Sequence, residues 1–212
     1  MQETYQLVAT VIIISASGVM APGPLFAATV SSGAKEGAKA GLKIAHGHAL
    51  VELPLVILIG IGVLTLESLP QFRATVSIIG ALSIFAFAAL QIRSSLKAEQ
   101  NTVKSRYGSL LTGVLLTGLN PFFLVWWFTI GIKIISDAYL LWAFWGILIM
   151  FGIHIWMDYA WLTLVSSLSA KGARLLSSRK YRALLVGINI VLVYFGVLFV
   201  LDYLSAIHNF QI

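Results

Sequence analysis

His48 and Glu52 stand four residues apart in the stretch GHALVE (47–52), and His154 and Asp158 stand four residues apart in IHIWMD (153–158). Positions i and i+4 share one face of a helix, so each imidazole is expected beside a carboxylate. Histidine changes charge near neutral pH and is a common metal ligand. A carboxylate in apolar surroundings can load and release a proton near neutral pH, hold a substrate ammonium, or bind a metal cation. Both pairs interrupt otherwise apolar runs. An ionisable group there is costly, so it faces an internal cavity or is protonated, and it is by default a candidate functional residue.

The rest of the chain explains why the cost is high. Only 10% of its 212 residues are charged and its mean hydropathy is +0.93, whereas a soluble domain carries about 25% charged residues. Several runs approach the roughly 20 apolar residues that a spanning helix requires, so the sequence reads as an all-α integral membrane protein in a lipid bilayer. The net charge of +6 does not point to nucleic acid, because the basic residues fall in short loops between apolar runs. The lack of cysteine excludes disulfides and thiolate metal sites. The opening MQETYQLVAT lacks the basic start and small-residue cleavage site of a signal peptide, so the first apolar run is expected to be a retained helix.

Six spans are expected, at about 5–30, 43–66, 74–92, 108–131, 138–168 and 183–204, in a single transmembrane domain over 1–212. Lys35, Lys39 and Lys43 fall between spans one and two. Arg93, Lys97, Lys104 and Arg106 fall between three and four, and Lys171, Arg174, Arg179, Lys180 and Arg182 between five and six. The other side has only Arg73 and Lys133. Cytoplasmic loops collect Lys and Arg, so these three loops are expected in the cytoplasm of a multi-pass cell-membrane protein, with both termini outside. Glu52 then lies about nine residues, or ~13 Å, into span two from the cytoplasmic face, and Asp158 lies at a comparable depth in span five.

The chain also looks doubled. Span one breaks at APGPLF (21–26) and span four at GLNPF (118–122), while spans two and five carry the His–carboxylate pairs. Three spans per half is an odd number, so repeat one (about 1–95) and repeat two (about 106–212) must be inverted. Inverted repeats with broken helices at matching positions are a common plan for secondary transporters, with the site near the midplane. Pro22 and Pro24 lack a backbone N–H and Gly23 permits sharp angles, so the first break must unwind or kink the helix. Pro121 does the same in the second, where Asn120 adds a side-chain donor and acceptor. Freed backbone groups survive in a membrane only inside protein or at a watery cavity. A half-helix starting after such a break turns its positive end toward that cavity and favours an anion. Two positive helix ends and two carboxylates complement a zwitterion.

Other features are weaker. His46 points away from His48 and reads as interfacial or structural, and His208 belongs to an exposed tail. Trp126, Trp127 and Phe128, with Trp142, Trp145, Trp156 and Trp161, are expected mostly to face lipid or form interface belts. Gly33, Gly37 and Gly41 in GAKEGAKAG have the spacing of a close helix contact. Asn189 reads as a helix–helix hydrogen bond. No phosphate-binding loop, Ser/His/Asp set or zinc-protease helix motif is present, so neither an enzyme nor a resident cofactor is expected, and ATP does not drive transport within this chain.

These motifs, in this order and over essentially the whole chain, resemble the LysE/RhtB family of small six-span amino-acid exporters, generally driven by the proton motive force. The resemblance maps that family's Pro-Gly-Pro onto Pro22, Gly23 and Pro24, its Asn-Pro onto Asn120 and Pro121, and its fifth-helix aspartate onto Asp158. Leu25 and Phe122 depart from the pattern, which usually has Asn and Lys at those positions, and the His48/Glu52 pair is an addition. The resemblance implies an exporter of an amino acid or similar small zwitterion by proton antiport. Glu52 and Asp158 would bind ammonium or proton, and His48 and His154 would tune them. The alternative is a divalent metal-ion exporter, with His48, Glu52, His154 and Asp158 as ligands of zinc or manganese. A non-transporting scaffold or intramembrane enzyme is a third class. Homo-oligomerisation is left open.

Overall fold

A computed structural model of the chain describes residues 2–66, 70–96, 107–172 and 179–208, and these residues form helices and their connections with no strand among them. Helix α1 (Gln2–Val19) is followed by α2 (Pro24–Glu36), and the two are bent by 69° across the APGP break. Pro24 starts α2, where a missing N–H costs nothing, and Gly23 precedes it in extended conformation. Helix α3 (Ala38–Leu66) follows at once because Gly37, at φ +63°, turns the chain in a conformation that favours glycine. Helices α4 (Pro70–Leu96) and α5 (Ser109–Gly118) come next, then the second break and α6 (Pro121–Trp126). A π-helical turn, Trp127–Gly131, leads into α7 (Ile132–Ala170), and α8 (Arg179–His208) completes the described chain.

Among the described residues, three stretches are long and apolar enough to cross a membrane: Ala38–Thr65, Phe122–Ala170 and Leu185–Ser205. The bent α1–α2 pair makes a fourth if it counts as one span. The second stretch, 49 residues long, would extend more than 70 Å if straight, over twice the ~30 Å hydrocarbon core. It is not straight. Trp142 and Ala143 leave helical geometry, Ala143 at φ +50°. The chain turns tightly enough there that Gly146 packs directly on the carbonyl of Ala138.

This corrects the boundary expected between the fourth and fifth spans. The helix runs through 132–141 and turns at 142–143. Lys133, expected in a loop, is instead buried in α7, with its Nζ 2.6 Å from Asp137 one turn on and 5.0 Å from the Phe199 ring centre. The local pair explains how a lysine is tolerated there. Of the basic residues expected in cytoplasmic loops, Lys97, Lys104, Arg106 and Arg174 lie outside the described residues.

Packing is set by glycines where helices meet closely. A Cβ on Gly47 of α3 would collide with the Leu110 carbonyl of α5, and one on Gly113 with the Ile44 carbonyl of α3. Within GAKEGAKAG, Gly33 and Gly41 both press against the α7 backbone, at Ser166 and Leu162. Gly37 is the turn between α2 and α3 instead of a third contact point. Ser166 plugs this turn: its hydroxyl donates to the Gly37 carbonyl at 2.5 Å and accepts the Gly41 N–H at 3.0 Å. Helix α3 thus lies between α5 and α7, α2 packs on α7, and α4 packs along α8. The main apolar core joins Val11, Ile14, Val56, Ile84, Ile130, Ile147 and Leu192 from these elements.

Candidate functional site

The two His–carboxylate pairs meet. Helices α3 and α7 pack together, and they bring His48, Glu52, His154 and Asp158 into one buried quartet. Each histidine touches its own-helix carboxylate: His48 Nε2 lies 3.2 Å from Glu52 Oε1, and His154 Nε2 3.4 Å from Asp158 Oδ2. Each also reaches across. His154 Nε2 lies 3.2 Å from Glu52 Oε1, and His48 Nε2 3.6 Å from Asp158 Oδ1. The i, i+4 spacing foretold the first pair of contacts. The crossed pair follows from the packing of α3 against α7.

The outer nitrogens are fixed by hydroxyls. His48 Nδ1 is 2.8 Å from Thr117 Oγ1 on α5, and His154 Nδ1 is 2.8 Å from Ser15 Oγ on α1. Each hydroxyl comes from the half-helix just before a proline break. A partner on Nδ1 fixes ring orientation and directs Nε2 to the carboxylates. Trp127 completes the set: its indole N–H donates to Glu52 Oε1 at 3.0 Å. Glu52 Oε1 therefore gathers three nitrogens, while Glu52 Oε2 and Asp158 Oδ2 are buried with no hydrogen-bond donor. Two imidazoles and one indole lower the cost of burying two carboxylates. Glu52 Oε2 is the quartet's open valence, and Asp158 Oδ2 has only the longer 3.4 Å approach of His154 Nε2.

Trp127 was expected to face lipid, and this is corrected: it is 1% exposed, and Trp126 is buried beside it. The π-helical turn explains the change, since an extra residue per turn re-aims side chains and often marks functional sites. Gly131 leaves room for the indole, because a Cβ there would strike its ring. Trp145, Trp156 and Phe128 are exposed as expected for lipid-facing residues. Trp161 packs near Phe26, and Trp142 stands against the main core at the α7 turn.

A cavity of about 380 Å³ opens beside the quartet. Pro22, Gly23, Pro24, His48, Glu52, Asn120, His154 and Asp158 all line it, so the expected site residues converge, with one exception. Pro121 starts α6, and its side chain lies outside those described. The two helix starts differ. Gly23 offers α2 no side-chain cap, so the first amides of α2 lack intrahelical partners. Asn120 Oδ1 accepts the N–H of Phe122 at 3.0 Å and caps α6 itself. Positive character toward the cavity is therefore concentrated at α2. His46 lies apart, 2.9 Å from the Tyr159 hydroxyl, and the side chain of His208 is outside those described. Asn189 Nδ2 donates to the Leu185 carbonyl one turn back in α8.

Donor atoms of His48, Glu52 and Asp158 lie within 4.8 Å of one another, close enough to converge on a metal ion. The sequence model for LysE type translocators matches residues 16–203. The chain belongs to the LysE type translocator family. No curated protein and no solved structure matches it. Members of the LysE family are transporters, not enzymes, and the apolar helices agree with a multi-pass membrane protein that moves a small molecule. Sequence reasoning missed Ser15, Thr117 and Trp127. The first two did leave a signal, a small hydroxyl residue shortly before each proline break.

Proposed function

We propose that this LysE family transporter exports an amino acid or similar small zwitterion in exchange for protons, by alternating access. The observation that carries the reading is the buried quartet at a cavity bordered by both helix breaks. The uncapped start of α2 attracts the substrate carboxylate. Glu52 and Asp158, each with one oxygen outside any hydrogen bond, receive the ammonium or the proton, and the histidines hold the second carboxylate while the first is engaged. The reading includes six spans in one domain, with residues 1–95 and 106–212 as inverted repeats. Its support is that helix pairings exchange between halves: α3 packs on α5 as α7 packs on α1, and α4 packs on α8. The basic loops are assigned to the cytoplasm on charge bias, which places both termini outside the cell membrane. The family match does not favour divalent-cation export.

The test uses proteoliposomes loaded with a pH-sensitive dye and challenged with amino acids, then with divalent cations. Amino acids should dissipate an imposed pH gradient, and Glu52→Gln and Asp158→Asn should each abolish the response. Gradient collapse driven only by a divalent cation would transfer the quartet to metal export. Persistence of the amino-acid response in both variants would remove the carboxylates from the mechanism.

A further inference from the structure

The cavity's chemistry divides sharply. Its polar side chains are the quartet, Asn120, whose Oδ1 is engaged in capping α6, and the indole N–H groups of Trp126 and Trp127, the latter already donating to Glu52. Among the described residues no lysine or arginine lines it, and its only carboxylates are Glu52 and Asp158. The remaining wall is apolar, made chiefly by Leu25, Phe26, Phe87, Leu90, Phe122 and Phe123. Phe123 joins the two regions, its ring 5.5 Å from the His48 ring in an edge-on contact. We infer that the cargo carries a bulky aliphatic or aromatic side chain, lodged against this wall while its zwitterionic head sits between α2 and the quartet. The inference rests on the zwitterion reading above and selects within it.

The physical argument is one of differential solvation. A lysine-like cargo would bring a second cation into a cavity whose carboxylates are already committed to the head group and the histidines. A glutamate-like cargo would bring an anion with no basic side chain to meet it. Either charge would be desolvated without a counter-charge to meet it. An aliphatic or aromatic side chain has the opposite balance, since each buried methylene contributes about a fourfold gain in affinity. Leucine has three more carbons than alanine, so even partial burial gives at least about a tenfold preference.

The experiment measures initial transport rates of leucine, phenylalanine, alanine, lysine and glutamate in proteoliposomes, for the wild type and for Phe122→Ala and Phe123→Ala. The wild type should favour leucine and phenylalanine over alanine by about tenfold or more in KM, with lysine and glutamate poorest. Each variant should shrink the leucine-to-alanine ratio severalfold. Phe122 is 59% exposed, so its truncation leaves the helix packing intact and keeps this readout available. A wild type that prefers lysine or glutamate, or a ratio unmoved in both variants, overturns the apolar side-chain assignment and leaves zwitterion export standing. If no amino acid moves in the wild type, the zwitterion reading falls and this inference falls with it.

Discussion

Trp126 and Trp127 are adjacent, both buried and in edge-on contact, yet their indole nitrogens differ. Trp127 Nε1 donates to Glu52 Oε1 at 3.0 Å, whereas Trp126 Nε1 is buried with no acceptor. Replacing each by phenylalanine removes similar ring volume from neighbouring positions but only one hydrogen bond. A hydrogen bond to a charged group contributes about 1.5–3 kcal/mol, and both partners here are only 1% exposed. Trp127→Phe should therefore be about 2 kcal/mol less stable than Trp126→Phe. For a chain of this size 1 kcal/mol corresponds to roughly 2–4 °C in Tm, so the gap should be about 4–8 °C. Thermal unfolding of the two variants in one detergent measures it. Dye-loaded proteoliposomes should also show a larger transport defect for Trp127→Phe, because Glu52 loses one of its three nitrogen partners. Equal melting temperatures and equal transport would mean that Trp127 only fills space, and that the quartet is held by the histidines alone.

Ser15→Ala and Thr117→Val remove the hydroxyls that fix His154 and His48, each bond being worth about 1 kcal/mol. Each variant should lower Tm by roughly 2–4 °C and weaken substrate binding about fivefold, and the double variant should fall further; thermal unfolding and binding titrations on purified protein decide this. Gly47→Ala drives a methyl group into the Leu110 carbonyl, where no side chain can yield, so it should lower stability by 3 kcal/mol or more, beyond the usual ~1–3 kcal/mol of overpacking. Gly62→Ala, with open space around it, should be neutral or stabilising by up to ~1 kcal/mol. Unfolding midpoints of the two variants, measured together, test whether the α3–α5 crossing is as close as described.

The sequence made some features legible and hid others for definable reasons. Breaks at Pro22–Pro24 and Asn120–Pro121 were readable because proline lacks an N–H and these prolines stand beside Gly23 or Asn120, whereas Pro54 alone is carried inside α3. The i, i+4 pairs were readable because helical geometry alone puts them on one face. The crossed contacts from His154 to Glu52 and from His48 to Asp158 were not, because they depend on how α3 and α7 pack. Trp127 was misread because a tryptophan near an apolar helix end looks the same whether it faces lipid or core; only the π-helical turn after α6 separates the two. The end of the fourth span was misplaced because Lys133 looks like a loop residue until Asp137, one turn on, is seen to neutralise it. The turn at Trp142–Ala143 carries no glycine or proline, so nothing in the local sequence announced it.

The difference between the two breaks bears on how a zwitterion would sit. Had both helix starts been bare, a substrate carboxylate would have two equivalent places and the cavity would set no orientation. Asn120 occupies the start of α6 with its own side chain, while Gly23 leaves α2 uncapped. On the proposed reading the carboxylate would be directed to α2 and the ammonium to the quartet. The apolar wall that includes Phe122 and Phe123 of α6 is left for the side chain. The asparagine that looks like a second anion site in the sequence thus acts by removing one. If the two halves are inverted repeats, as proposed, the pair of breaks would in this way still set a single substrate orientation.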